Sequence, residues 1–241
     1  MTKDVALIVG GGPGISASCA RLFARSGMHV GIAARTPDKP ALQNLEQTHG
    51  VRRYACDASK PEAVALLFQD VVRDLGVPTL VVHNIDGRVP GIFRKGIAEA
   101  DASLAFETLR NSAFSVFLVG QQAARLMREN RPDANGTKGT IIFTNASAAL
   151  KGFASSGAFA MACQAKSGLA QSMARELMPQ GIHIACTASA FARALSPAPS
   201  ARLTADDTPP PIAPPDSINC SITIGNTSAI PASEATPSWP T

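Results

Sequence analysis

The first forty residues constrain the fold most. Val5-Ala-Leu-Ile-Val9 is an apolar run that enters Gly10-Gly-Gly-Pro-Gly14-Ile-Ser16, and Ala17-Ser-Cys-Ala-Arg-Leu-Phe-Ala-Arg25 follows with helical periodicity. Strand, glycine-dense turn and helix make a β-turn-α unit. Its turn, through Gly10, Gly14 and Ile15, can bring backbone N–H groups close to a phosphate at the positive end of a helix. His29-Val-Gly-Ile-Ala-Ala34 reads as a second strand and ends in Arg35, with no acid among residues 32–36. An acid at that strand end would take a free ribose hydroxyl, whereas a guanidinium suits a ribose phosphate. NADP(H) is the expected cofactor on this reading, with Arg35 on its 2′-phosphate; an ordinary exposed base is the alternative.

Strands and helices then alternate as far as about residue 190, as in successive βαβ units. Arg52–Cys56 is a short third strand that leads to Asp57. Ser59-Lys-Pro-Glu62 has the form of a capping box and opens a helix. Thr79–His83 is an apolar fourth strand, followed by a helix from about Ala100 with a break near Asn111. Thr140–Thr144 is a fifth strand, Gly157–Met178 a long helix closed by Pro179 and Gly181, and His183–Thr187 a sixth strand. The expected fold is one Rossmann-type, doubly wound α/β domain over residues 1–195, a parallel sheet with helices on both faces. Residues 196–241 hold ten of the eighteen prolines and lack Lys, Tyr and Phe. That composition predicts an irregular Pro-rich tail or lid, except that Ile218, Cys220, Ile222 and Ile224 alternate with polar residues as an edge strand would.

A chain of 241 residues suits one sizeable domain rather than two. The tail is acidic, so residues 1–195 carry 21 bases against 14 acids, which favours an anionic small-molecule ligand. The bases form no run, so no nucleic-acid partner is expected. No apolar stretch is long enough for a membrane span or a signal peptide. Five scattered cysteines without a C-x-x-C pair fit reduced thiols in the cytoplasm, and four dispersed histidines offer no metal site.

The turn resembles that of the short-chain dehydrogenase/reductase family, T-G-x-x-x-G-x-G, with Val9 at the family's Thr and Ser16 at its last Gly. The resemblance covers roughly residues 4–190. It implies that Asp57 hydrogen-bonds the adenine amino group and that Asn84, in His83-Asn84-Ile85-Asp86-Gly87 where the family has N-N-A-G, ties neighbouring strands together. His83 itself reads as a packed strand residue.

The same resemblance extends to the chemistry, where the residues change. Phe159 occupies the position of the family's tyrosine and Cys163 that of its lysine, ahead of a similar Gly168-Leu-Ala-Gln-Ser-Met-Ala-Arg-Glu-Leu177 run. A phenyl ring has no proton to give, and a neutral thiol carries no positive charge. Ser147 survives at the serine position, while the active-site Asn aligns with Ser112, Asn111 standing one place early. Lys166 either reaches the ribose or faces solvent or an interface; Cys163 is a buried small residue or a reactive thiol. The expected function is an NADP(H)-dependent oxidoreductase for a small carbonyl or alcohol. A catalytically inactive NADP(H)-binding protein is the alternative, and another nucleotide-using Rossmann protein, such as a methyltransferase, is a weaker one. The resemblance implies a homodimer through Phe114–Arg128 and Gly157–Met178.

Overall fold

The computed structural model describes residues 4–189. The expected boundary at residue 195 and the Pro-rich segment 196–241, with its alternating 218–224 stretch, lie outside the described residues.

Six parallel strands form one sheet: β1 (Val5–Val9), β2 (His29–Ala34), β3 (Arg52–Ala55), β4 (Leu80–His83), β5 (Gly139–Ala146) and β6 (Ile182–Ser189). Their spatial order is β3-β2-β1-β4-β5-β6. The helices are α1 (Ile15–Arg25), α2 (Pro40–His49), α3 (Pro61–Asp74), α4 (Ala102–Leu109), α5 (Ser115–Met127) and α6 (Gly157–Leu177). This is the doubly wound arrangement expected from the sequence, with strand ends within two residues of those predicted.

The central strands are apolar on both sides because helices cover both faces. Leu7 and Val9 of β1 join Val81, Ile141 and Phe143 in a core against α3, α5 and α6. Ala6 and Ile8 point the other way and meet Ala17, Ala20, Leu42 and Leu45 of α1 and α2. Gly50 closes α2 in the left-handed region at φ 65°, and Gly181 does the same at φ 84° before β6.

One local expectation is corrected. Ser59 does not cap α3: its hydroxyl and N–H both donate to the Asp57 carboxylate, at 2.8 and 3.1 Å, and Lys60 takes the cap position without a side-chain bond. The break near Asn111 is a five-residue π-turn, Arg110–Phe114, between α4 and α5.

Leu7 is fully buried at the centre of the sheet and Leu66 on α3 is 57% exposed. Leu7→Ala is expected to cost about 2–5 kcal/mol of unfolding free energy, and Leu66→Ala no more than about 0.5. Urea unfolding followed by circular dichroism measures both.

Candidate active site and nucleotide cleft

Strand order reverses between β1 and β4, and a parallel sheet opens a crevice at the carboxyl ends of its strands at such a point. A cleft of about 730 Å³ lies there, bounded by Gly10 and Gly11, Ala34–Thr36, Lys39, Cys56–Ser59 and Asn84–Pro90. Leu104, Glu107 and Asn111 close one side.

The turn between β1 and α1 is built for close approach. Gly10 has φ +106°, and a Cβ there would overlap the Asn84 carbonyl. Its N–H and that of Gly11 both donate to the Ala33 carbonyl, at 2.9 and 2.8 Å. A Cβ at Gly12 or Gly14 would meet nothing within 4 Å. Helix α1 has no side-chain cap at Gly14, and its first internal bond runs from the Ser18 N–H to the Gly14 carbonyl. The N–H groups of Ile15, Ser16 and Ala17 therefore precede the hydrogen-bond ladder at the positive end of the helix.

Ser16 stands where the resembled turn has glycine, yet the turn stays closed. Its buried hydroxyl donates to the Gly10 carbonyl at 2.7 Å and accepts from Asn84 Nδ2 at 2.7 Å. Asn84 Oδ1 in turn accepts from the Thr144 hydroxyl at 2.8 Å. The Asn84 amide is thus committed to bracing β1, β4 and β5, and it bears on a ligand through Ser16 and the turn.

The side of the cleft beyond β2 is basic. Arg35 is exposed on the wall beside Thr36 and Lys39. The loop that carries them is pinned by Arg53, which holds Asp38 at 2.7 Å, Glu46 at 2.7 Å and the Pro37 carbonyl at 3.0 Å. Burial alone would raise the Asp57 carboxyl, but the two Ser59 bonds, with Lys60 and Arg35 nearby, hold it below the usual carboxylate range. Tyr54 turns away from this wall: it is packed in the core, its hydroxyl donates to Asp74 at 3.3 Å, and burial pushes its phenol up to about 12. Sequence reasoning passed over Thr36 and Lys39; a base four residues beyond Arg35 was the available signal.

At the other end, Ser147 opens a short 3₁₀ turn after β5 and is half-buried. Phe159 packs with Ala148, Ala149 and Cys163 in a small apolar cluster. Cys163 is fully buried, and that burial pushes its thiol up, as suits an inert packed residue. Ser112, fully buried in the π-turn, has a hydroxyl without a hydrogen-bond partner, whereas Asn111 beside it is on the cleft wall.

A solvent-facing or interface Lys166 is overturned. It is 2% exposed, its Nζ lies 3.4 Å from the Thr144 carbonyl, and burial holds its ammonium below the usual lysine range. Ala123, Ala124 and Met173, expected on an intermolecular face, are likewise buried within the chain, while Phe114, Phe117, Met161 and Ala165 stay exposed.

A family model described as enoyl-(acyl carrier protein) reductase matches residues 10–202. The chain belongs to the short-chain dehydrogenase/reductase family. That family binds a nicotinamide cofactor, NAD or NADP, and the turn, cleft and basic wall described above fit such a dinucleotide. Among relatives, an uncharacterised oxidoreductase of Mycobacterium tuberculosis is 32% identical over 164 residues, 65% of this chain and 59% of its own length. Tropinone reductase-like 2 of Erythroxylum coca is 28% identical over 185 residues, 76% of this chain and 64% of its own. The alignments thus span less than two thirds of these relatives. A solved short-chain dehydrogenase from Rhodopseudomonas palustris superposes with a TM-score of 0.66 at 29% identity, over 76% of this chain and 82% of that one. Among the described residues, no helix is long and apolar enough to cross a membrane, and no group of metal-binding side chains occurs.

Where this member of the short-chain dehydrogenase/reductases departs from the family's N-N-A-G, His83 fills the first Asn position. It is fully buried, with Nε2 2.8 Å from the Ser115 hydroxyl. That hydroxyl donates to the Asn111 carbonyl at 2.7 Å, so Nε2 must donate to it. Nδ1 is left as a lone pair with no partner, and a proton there would be buried without an acceptor. Burial, with Lys166 nearby, pushes the imidazole down to about 3. The folded protein therefore keeps His83 neutral, while the unfolded chain takes up a proton below about pH 6.5. The associated stability is complete above that pH and is lost as pH falls toward 3, by up to about 1.4 kcal/mol per pH unit. His83→Asn is expected to flatten the wild-type slope between pH 6.5 and 4 in urea unfolding; parallel slopes would contradict a neutral His83.

Proposed function

We propose that this protein is an NADP(H)-dependent oxidoreductase of short-chain dehydrogenase type that acts slowly on a small carbonyl or alcohol. The observation that carries the reading is the cleft. Its close-approach turn, uncapped α1 and wall of Arg35, Thr36 and Lys39 suit a pyrophosphate at one place and a ribose phosphate at another. Gly10, Gly14 and Ile15 would cradle the pyrophosphate, Asp57 would meet the adenine, and Asn84 would hold the turn in shape. When bound, the dinucleotide supplies or accepts hydride. Ser147 would donate a hydrogen bond to the substrate oxygen, and water would complete the proton transfer that Phe159 cannot make. Lys166, inward-facing on α6, would bring its charge to the ribose end from beneath β5 rather than from the cleft surface. Scattered thiols suit the cytoplasm. A homodimer would form through Phe114 and Phe117, stacked with centroids 6.2 Å apart, and the exposed side of α6.

A second reading, a catalytically inactive NADP(H)-binding protein, is favoured by a specific observation. Phe159 and the fully buried Cys163 leave an apolar cluster where the acid and its cation would act, and Ser112 has no free approach to the cleft. Either way, the rate for ordinary ketones and aldehydes should be low, since positioned acid–base groups contribute about 10²–10⁴.

Two measurements test the cofactor assignment and the placement of the chemistry. Calorimetric titration should give tighter NADPH than NADH, with Arg35→Ala losing about tenfold to a hundredfold in NADPH affinity and little for NADH. Equal affinities in the wild type would defeat the NADP(H) assignment. For catalysis, Phe159→Tyr with Cys163→Lys should raise carbonyl turnover by orders of magnitude. Because position 163 lies within electrostatic reach of Lys166, the pair is also made in a Lys166→Val background. Wild-type turnover already at tens per second, unaffected by Ser147→Ala, would show that the chemistry lies elsewhere.

A further inference from the structure

Asp86 and Arg88, which no motif singles out, lie where the cleft meets the catalytic positions. Gly87 between them has φ +80°, and a Cβ there would meet Ser112 N at 2.6 Å and Cα at 2.7 Å. The loop after β4 is therefore pressed onto the π-turn, which sets the two charged residues on either side of the contact. Arg88 Nε donates to the Asp86 oxygens at 3.0 and 2.8 Å, and Nη2 lies 2.8 Å from Oδ2. The guanidinium carbon is 4.3 Å from the Phe159 ring centroid and 4.6 Å from that of Phe93.

This geometry holds a planar cation against two aromatic faces. Contact with two rings restrains the guanidinium, whose donors lie at its edges. Asp86 takes the Nε–Nη2 edge. The Nη1–Nη2 edge has no acceptor among the described residues, and the side chain remains 34% exposed on the cleft wall. A guanidinium edge of this kind matches a carboxylate with two parallel N–H···O bonds. Its stack on Phe159 puts that carboxylate beside the residue at the family's proton-donor position.

We propose that Arg88 is the substrate-recognition residue of this cleft and that the substrate carries a carboxylate beside its reacting carbonyl or alcohol. Asp86 is its positioning residue, holding the guanidinium edge-on before a ligand arrives. The inference rests on the reading of the cleft as a dinucleotide site, and its test separates the two.

The probes are benzoylformate, a 2-oxo acid with its carboxylate beside the ketone, and its methyl ester, titrated calorimetrically into the wild-type protein with and without NADPH. The carboxylate should bind about tenfold to a hundredfold more tightly than the ester. Arg88→Gln should abolish that preference, and Arg88→Lys should keep only part of it, since an ammonium retains charge without the fork. Asp86→Asn, which releases the guanidinium from its fixed orientation, should weaken the carboxylate several-fold and leave the ester unchanged. NADPH titrated into the same three variants gives the reference for any general loss of binding in the cleft. Equal binding of acid and ester by the wild type, binding of neither, or a preference that survives Arg88→Gln would overturn the proposal. Failure of NADPH itself to bind would instead defeat the cofactor reading, and the acid-against-ester comparison without nucleotide would still decide the role of Arg88.

Discussion

The close approach of Gly10 to the backbone of Asn84 is the constraint on which the rest depends. Only a hydrogen fits on that side of residue 10, and the positive φ it adopts is one that larger residues resist. The approach lets β1 and β4 end at the same level, so the crevice between them has a floor. Ser16, Asn84 and Thr144 then lock that floor with a run of part-buried hydrogen bonds crossing three elements. Any loss there would be felt at α1, at β5 and at the loop that carries Arg88 together, because buried polar groups left without partners are costly.

The sheet was legible because its strands, covered on both faces, are continuous apolar runs. The glycine turn was legible because steric demands at a tight turn leave a mark in residue type. Loops after the strands were less so. Ser59 stood in a capping-box pattern, but the Asp57 carboxylate two residues earlier outcompeted the helix for its hydroxyl. Lys166 gave a misleading signal: α6 is rich in Ala, Gly and Ser on every side, so its periodicity does not announce which face is inside. The Arg88 stack was invisible for a different reason. Its two rings come from residues 93 and 159, and nothing local in Asp86-Gly87-Arg88 reveals that pairing.

Charge is distributed unevenly along the cleft. Exposed Arg35 and Lys39 line the wall beyond β2, where an anion can meet them without displacing a protein partner. At the other end Arg88 is already paired, His83 is held neutral and Lys166 is buried. Apolar Phe159 and Cys163 therefore sit beside cations whose positions are set by aromatic packing and backbone carbonyls.

The π-turn at Arg110–Phe114 changes the phase of the helical segment that passes through it. Leu104, Glu107 and Asn111 look into the cleft, while Ser115, four residues past Asn111, meets His83 in the core. An unbroken α-helix would keep residues 111 and 115 on one side. The additional residue lets one stretch of chain wall a solvent-filled crevice upstream and seal a dry interior downstream. Removing it would rotate everything after it by about 100°, a helix's turn per residue, and would swing Ser115 away from His83.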